Sequence, residues 1–346
     1  MNASSSLRDE TTEILAKAET WLAQAQQVAL ATVIATWGSS PRPVGSLLAV
    51  NAAGDFVGSV SGGCVEGAVI ETAAEVIRSG RPQQLEFGVS DQAAWDVGLA
   101  CGGQIRVYVE SLERQSVEVL LAADTGRQAV ARVIALQSGE SALYQAGADQ
   151  AGFPLGQEIA EAAQQILSAN HSTLAAVGDQ DIFVRVFTPP PRLVIIGAVH
   201  IAQYLATVAS LAGFEVTVVD PRQAFATSQR FPQTTLLSEW PDKALQRLGL
   251  DAHTGVVTLT HDAKLDEPAL TAALKSPAFY IGALGSKKTH AARLERLTDA
   301  GIEASQLERI RAPIGLDLGG RSPAEIAIAI TAEAIQHWHR PAQRER

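Results

Sequence analysis

The sequence predicts an α/β protein with two domains: an N-terminal mixed α/β domain and a C-terminal domain with a Rossmann-like parallel sheet. Its length, 346 residues, corresponds to about two domains. Hydrophobic residues make up 47% of the chain and charged residues 18%, which excludes bulk disorder. Beyond residue 190, short apolar runs alternate with helical segments, which is typical of βαβ units.

Composition excludes several classes of protein. The net charge of −10 disfavours a nucleic-acid binder, because such a protein needs a basic face to replace the counterions of phosphate. Two cysteines, Cys64 and Cys101, are too few for a disulfide scaffold or a four-cysteine zinc site. The N-terminal stretch lacks the apolar core of a secretory signal, and no apolar run near it could span a bilayer. We therefore expect a cytoplasmic protein with reduced thiols and no nucleic-acid or membrane partner.

The N-terminal elements follow from apolar spacing. Helical periodicity predicts a helix over residues 11–26, and a continuous apolar run predicts a buried strand over 28–36. The turn sequence at 51–54 indicates a hairpin between strands 46–50 and 56–60. A helix over 65–77 and two further strands, 85–89 and 104–110, complete the first set of elements.

A weak repeat follows this first set. The segment VALATVIATWGSS at 28–40 resembles AVARVIALQSGES at 129–141, and each precedes a short strand, a glycine turn and an alanine-rich helix, the second over 157–167. This predicts an internal duplication. Because the second copy lacks the Gly-Gly-Cys sequence of the first, we expect it to be scaffold.

Three prolines at 189–191 mark a domain boundary, since consecutive prolines favour extended geometry and act as a spacer. We therefore divide the chain into an N-terminal domain, 1–187, and a C-terminal domain, 188–346. Apolar runs predict parallel strands in the second domain at 193–196, 215–220, 255–260 and 278–283.

The first turn of the C-terminal domain resembles a dinucleotide-binding loop with one defect. Gly197 ends a strand, a helix follows, and Asp220 lies about 20 residues further on, where an acidic residue suits a ribose hydroxyl. Val199 replaces the glycine that lets the backbone approach a pyrophosphate, so NAD(P) is disfavoured as a cofactor. His200, beside the helix N-terminus, is either a packing residue or a ligand contact.

Two later loops also follow predicted strands. His261 and Asp262 could bind a metal or simply belong to a turn and helix cap. Ser286 is predicted to cap a helix whose first turn carries Lys287 and Lys288. Cations there oppose the helix dipole unless an anion binds, so this turn is either a phosphate site or a solvated pair. The sequence at 322–325 is typical of a capping box.

The least ordinary residues are glycine-flanked cysteines. Cys64 follows Gly62 and Gly63, and Cys101 precedes a second glycine pair. Glycines at the head of a helix can present backbone N–H groups as an anion cradle, and a helix N-terminus favours thiolate, although Glu66 opposes this. Each cysteine is either a small buried apolar residue or a ligand of a soft metal or carrier of sulfur.

These residues carry a resemblance that extends over nearly the whole chain. The sequence resembles the XdhC/CoxI family, accessory factors of xanthine dehydrogenase and related molybdenum hydroxylases. The matching segments are GSSPRPVG, SGGCVEGAVI and ACGGQIRVYVE in the N-terminal domain, and IIGAVHIAQYLATVASLAGFEVTVVDPR, LTHDAKLDEPAL, YIGALGSKKTHAARLERL and RIRAPIGLDLGGRSPAEIA in the C-terminal one. The family usually has Gly-x-Gly-His where this chain has Gly197-Ala-Val199-His200.

The resemblance implies a dimeric chaperone that binds molybdenum cofactor, as molybdopterin or its cytosine dinucleotide form. Such a chaperone protects the cofactor, supports its sulfuration and inserts it into a molybdenum hydroxylase apoprotein, with a cysteine desulfurase as a further partner. Cys64 and Cys101 are then the predicted metal-proximal thiols. The predicted cofactor-binding residues are Arg42, Gly62, Gly63, Cys64, Glu66, Cys101, Gly197, His200, Asp220, Ser286 and Lys287. An NAD(P)-dependent oxidoreductase and a direct sulfur-transfer enzyme remain alternative functions.

Overall fold

The computed structural model describes residues 10–40, 42–88, 103–145 and 151–339. These residues form two compact units that divide within the proline run, an N-terminal unit of residues 10–189 and a C-terminal unit of residues 190–339. Among the helices described, none combines the length and apolar character needed to cross a membrane.

The N-terminal unit contains the same series of elements twice. Each series runs helix, three strands, helix, two strands. The first comprises α1 (Glu10–Ala23), β1 (Val28–Trp37), β2 (Leu47–Asn51), β3 (Phe56–Gly58), α2 (Glu66–Ser79), β4 (Gln83–Phe87) and β5 (Gln104–Ser111). The second comprises α3 (Arg114–Thr125), β6 (Val130–Ala135), β7 (Ser141–Tyr144), β8 (Ala151–Gly152), α4 (Gln157–Ala169), β9 (Thr173–Val177) and β10 (Gln180–Phe187).

Both series fold with one topology. The first five strands form a sheet of order β3-β2-β1-β5-β4, and the second five form one of order β8-β7-β6-β10-β9, each with antiparallel neighbours. In each, the first strand lies at the centre. The weak sequence repeat therefore corresponds to a structural repeat of the whole helix-and-sheet unit.

Successive side chains of β1 contact helices on opposite faces of its sheet, so both faces are covered. Ala29, Ala31 and Val33 pack against the apolar face of α2, while Val28 and Leu30 pack on the opposite side with α1 and α3. Successive strand residues point to opposite faces, so a strand buried on both faces must be apolar throughout. Eight of the ten residues of β1 are accordingly buried.

A buried ion pair joins the two sheets. Arg132 of β6 contacts both carboxylate oxygens of Glu110 in β5, and its Nη2 also donates to Ser141 Oγ at 3.0 Å. Both charged residues are almost fully buried, with relative exposures of 3% and 4%. The bidentate geometry compensates part of the cost of removing the two charges from water.

The C-terminal unit is a doubly wound parallel sheet. Its strands are β11 (Arg192–Ile196), β12 (Glu215–Val219), β13 (Thr235–Leu237), β14 (Thr254–Thr258), β15 (Tyr280–Ala283) and β16 (Ile310–Arg311). Its helices are α5 (His200–Leu211), α6 (Pro241–Leu248), α7 (Ala263–Leu274), α8 (Lys287–Asp299), α9 (Ala304–Leu307) and α10 (Pro323–His339). The strand order β13-β12-β11-β14-β15-β16 is that of a Rossmann fold, with the topological switch between β11 and β14.

The sheet lies between two apolar cores. Leu193 and Ile195 of β11 pack with α5 and α10, whereas Val194 and Ile196 face α6, α7 and α8. All five residues of β11 are buried, as expected of a central parallel strand.

The predicted fold class and the main predicted elements are confirmed. The helix expected at 11–26 is α1, which ends earlier at Ala23, and the strand expected at 85–89 is β4, which begins at Gln83; residue 89 lies outside the described residues. Five strands were not predicted: β8, β9 and β10 in the second series of the N-terminal unit, and β13 and β16 in the C-terminal unit. Of these, β13 and β16 have only three and two residues and lie at the edges of the sheet, so they carry little periodicity.

Candidate functional site

The Gly-Cys loop of the N-terminal unit links β3 to α2 and is organised by one carboxylate. Glu66, the first residue of α2, is buried and reaches back over the loop that precedes it. Its carboxylate accepts hydrogen bonds from the hydroxyls of Ser59 and Ser61 and from backbone N–H groups. The backbone donors are Val60 at 3.2 Å, Ser61 at 2.9 Å, Gly63 at 2.8 Å and Val65 at 3.3 Å.

These hydrogen bonds set the protonation state of Glu66. Burial by itself raises the pKa of a carboxyl group, but the donors from Ser59 and Ser61 outweigh it and lower the pKa of Glu66 to about 2. The side chain is therefore a carboxylate throughout the physiological pH range.

The amides of Gly62 and Gly63, which were predicted to form an anion cradle, make hydrogen bonds within the loop. Gly63 donates to Glu66, and Gly62 donates to Ser59 Oγ at 2.8 Å, so the cradle predicted for an external anion is occupied by the chain's own side chains. The reason is local. A carboxylate in the first helical turn can satisfy the free N–H groups at its own N-terminus, and serine hydroxyls extend the same network. Glu66 thus fixes the conformation of the loop through hydrogen bonds to its backbone and serine hydroxyls.

Cys64 is presented on the surface of this loop. Its thiol belongs to no disulfide and the residue is exposed, which excludes the alternative of a small buried apolar residue. The space beside Gly63 is open, with no heavy atom within 4 Å of the position a Cβ would take. Cys101 lies outside the described residues, so a site shared by the two thiols remains a prediction.

Arg42 lies elsewhere in the N-terminal unit. Its Nη2 contacts Glu10 Oε2 of α1 at 2.5 Å, an ion pair that the sequence did not predict. Its Nε is shielded from solvent and has no hydrogen-bond partner within the described structure.

The glycine turn of the C-terminal unit packs tightly at the switch point. Gly197 has φ +103°, and a Cβ there would collide with the Thr260 side chain of the loop after β14. Val199 is the N-cap residue of α5, in extended conformation. His200, the exposed first residue of α5, lies 3.3 Å from Gln203 Oε1 and makes an edge contact with Tyr204 at 5.3 Å between ring centroids.

Asp220, the residue predicted to meet a ribose hydroxyl, has its carboxylate engaged by groups of the protein itself. It is fully buried, accepts the Ala198 N–H at 2.8 Å, and forms a bidentate pair with Arg222 at 2.8 and 2.7 Å. Burial acts to raise its pKa, but the hydrogen bonds from Arg222 and Ala198 outweigh that effect and lower it. Arg222, only two residues further on, was missed because nothing in its spacing distinguishes it from a solvated arginine.

The remaining predicted loop residues act as helix caps. Asp262 accepts from Lys264 N at 3.0 Å at the start of α7, and Ser286 accepts from Thr289 N at 3.2 Å at the start of α8. Lys287 and Lys288 are exposed. Across the described ranges, no group of three or more His, Cys, Asp or Glu side chains is arranged to hold a metal ion.

A buried pair near these caps was also missed. Asp266, on the first turn of α7, accepts from Thr260 Oγ1 at 2.7 Å and from His261 N at 3.1 Å, and lies 4.0 Å from Arg293 of α8. It thereby holds His261 at φ +60°, an uncommon conformation for a residue other than glycine. Helical spacing places Asp266 beside Leu265 and Ala269 but does not reveal that it faces inward.

The fold and these loops define a class of protein: a two-unit α/β protein whose C-terminal unit has Rossmann topology and whose N-terminal unit displays a cysteine on a carboxylate-organised glycine loop. Comparison with known proteins gives the family. Residues 193–334 match the XdhC Rossmann domain and residues 21–88 match the XdhC and CoxI family. The chain belongs to the XdhC/CoxI family.

Full-length relatives are similar in sequence and structure. The chain is 29% identical to the molybdenum cofactor insertion chaperone PaoD of Escherichia coli (strain K12) over 94% of its own length and 88% of the relative's. It is 28% identical to a probable xanthine dehydrogenase subunit from Bacillus subtilis (strain 168), over 90% and 93%. A crystal structure described as a xanthine dehydrogenase from Bacillus halodurans superposes with a TM-score of 0.74 at 27% identity, covering 97% of both chains.

Proposed function

We propose that this protein is a molybdenum cofactor-binding chaperone that protects the cofactor, supports its sulfuration and inserts it into a molybdenum hydroxylase of the xanthine dehydrogenase type. In this proposal it acts in the cytoplasm as a homodimer, with the hydroxylase apoprotein and a cysteine desulfurase as partners. The cofactor is its cargo and is released to the client enzyme.

One observation carries the proposal: an accessible thiol on a loop of fixed shape. Thiolates are suited to soft metal centres such as molybdenum bound by a dithiolene, and the exposed Cys64 can reach such a cargo without rearrangement of the core. Glu66 holds the loop through six hydrogen bonds to its one carboxylate, so the thiol is presented by a preorganised backbone.

Membership in the family and the similarity to PaoD support the same function, because that relative is a molybdenum cofactor insertion chaperone. The Rossmann-type unit supports cofactor handling in a general way, since ligands of such sheets bind at the carboxyl ends of their strands.

Cofactor retention by purified Cys64→Ala tests the proposal. The expected result is loss of most of the molybdenum that co-elutes with the wild-type protein, because the proposed thiol contact is removed. Gly67→Ala is a matched control, since residue 67 lies on the same helix start and a Cβ there meets no atom within 4 Å. Cys101→Ala tests the second predicted thiol in parallel.

Sulfur carriage is tested separately from metal binding. After incubation with a cysteine desulfurase and cysteine, mass spectrometry of the intact protein detects any persulfide on Cys64. Wild-type molybdenum retention by Cys64→Ala would refute the thiol contact, and failure of the wild-type protein to bind the cofactor would refute the chaperone function.

A further inference from the structure

A cleft in the N-terminal unit is lined by two arginines. Its volume is about 210 Å³, and its walls come from the start of α1, the loop that leads into β2, and Arg185 of β10. Among the described residues of these walls, the charged ones are Glu10, Arg42 and Arg185, so two guanidinium groups and one carboxylate face each other across a small cleft of a chain whose net charge is −10. From these features we infer that the cleft binds a phosphate or diphosphate group, with Arg42 as the principal ligand and Glu10 as a displaceable gate.

Arg185 is fixed in place from several sides. Its Nη2 donates to Thr11 Oγ1 at 3.2 Å, and its guanidinium lies 4.7 Å from the centre of the Phe187 ring. Gly45, at φ +89°, allows the loop to pass close by, since a Cβ there would lie 3.0 Å from Arg185 Nε. The Arg185 guanidinium is therefore held at a defined position in the wall of the cleft.

Arg42 has unused capacity for an oxyanion. Its Nη2 is held by Glu10, while its buried Nε has no hydrogen-bond partner within the described residues. A guanidinium presents its N–H groups in a fixed fork that matches phosphate oxygens. A phosphate that takes the place of the Glu10 carboxylate could accept from both Nη2 and Nε, and would thereby satisfy the orphaned donor.

A ligand can readily displace the Glu10 carboxylate from Arg42. The side chains of Arg42 and Glu10 are 26% and 49% exposed, and an ion pair of such exposure contributes little to stability because water screens it. A doubly charged phosphate competes well with one exposed carboxylate. The cleft is smaller than the roughly 300–1,000 Å³ of pockets that enclose a whole drug-sized ligand, so it fits the anionic head of a larger molecule.

Isothermal titration calorimetry of the full chain tests the inference, with inorganic phosphate and pyrophosphate as separate probes at low ionic strength. Arg42→Gln should weaken binding by about tenfold or more, the effect of losing a charge-assisted contact. Glu10→Gln should strengthen binding by up to about fivefold, because the competing carboxylate is removed. The two probes distinguish a monophosphate from a diphosphate ligand.

The matched control is the ion pair of Arg106 with Glu86, which has a similar distance of 2.6 Å and an arginine of similar exposure, 30%. Arg106→Gln and Glu86→Gln should leave binding unchanged. A gain of affinity in Glu10→Gln cannot arise from misfolding, so it supports the site even if Arg42→Gln is unstable. The inference is overturned if the wild type binds neither probe, if Arg42→Gln folds and binds as tightly as the wild type, if Glu10→Gln binds more weakly than the wild type, or if Lys287→Gln rather than Arg42→Gln abolishes binding. None of these outcomes depends on molybdenum cofactor, so the proposed function is tested independently.

Discussion

Glu66→Gln should destabilise the N-terminal unit at neutral pH in a way that disappears in acid. Glu66 as a residue is 8% exposed, and the pKa of its carboxyl group is lowered from 4.5 to about 2 by the donors of its own loop. At 1.36 kcal/mol per pH unit, a shift of this size corresponds to roughly 3 kcal/mol of stabilisation from the charged form. Glutamine keeps the shape of the side chain but removes its negative charge. It also replaces one accepting oxygen by an NH₂ group, which would face the N–H and O–H donors of the loop.

The sign of the pH dependence follows from the lowered pKa. The stabilisation is fully present above about pH 4.5, the ordinary pKa, and it is lost as the pH falls towards 2. The difference in unfolding free energy between wild type and Glu66→Gln should therefore be constant from about pH 5 to 7 and shrink below that range, as far down as both proteins remain folded.

Urea unfolding of the full chain measures the difference in unfolding free energy. Hydrogen exchange of the Ser61 and Gly63 amides shows whether the Cys64 loop itself is destabilised. Glu71→Gln is the control, because Glu71 is an exposed residue of the same helix. Equal stability of Glu66→Gln and wild type at neutral pH, or a difference that persists unchanged in acid, would refute the view that the carboxylate organises the Cys64 loop.

Three other substitutions or titrations examine the rest of the molecule. Gly197→Ala should lower the stability of the C-terminal unit by about 1–3 kcal/mol more than Gly213→Ala does, as measured by thermal unfolding. Both glycines have positive φ, but only at Gly197 would a Cβ collide with a neighbouring side chain. Glu110→Gln should cost about 3–5 kcal/mol in chemical unfolding, because it leaves the buried Arg132 charge without its partner, and a loss below about 1 kcal/mol would contradict this. Calorimetric titration with NAD and NADP should show no sub-millimolar binding, since the Asp220 carboxylate is already occupied.

Apolar periodicity was sufficient to predict the first of the two series of elements in the N-terminal unit. The alternating contacts of β1 and the helical stripe Ile14, Leu15, Ala18 and Trp21 are visible in the sequence as the patterns that a sheet and a helix need to bury one face. The sequence indicated only part of the structural repeat, because the two copies share a residue pattern over little more than the first strand. The matching strand orders became evident only in the folded unit.

The candidate site was predicted less completely than the fold. The sequence located the Cys64 loop, the caps at Asp262 and Ser286, and the acidic residue Asp220. It could not assign partners to the charged groups, because a hydrogen bond depends on which side chains the fold brings within about 3 Å. Asp220 was predicted to contact a ribose hydroxyl, and nothing in the sequence indicated that its carboxylate pairs with Arg222.

The sequence by itself determined the fold class and the exceptional composition of the glycine-cysteine loops, since burial pattern and turn chemistry are local properties of the chain. Only the tertiary structure decided how the charges are used. It turned Glu66 inward to occupy the amides expected to bind an anion, and it brought Arg42 and Arg185, which are 143 positions apart, to one cleft. The physical reason is that electrostatic and hydrogen-bonding interactions act over a few ångströms of space, a distance that spacing along the chain does not encode.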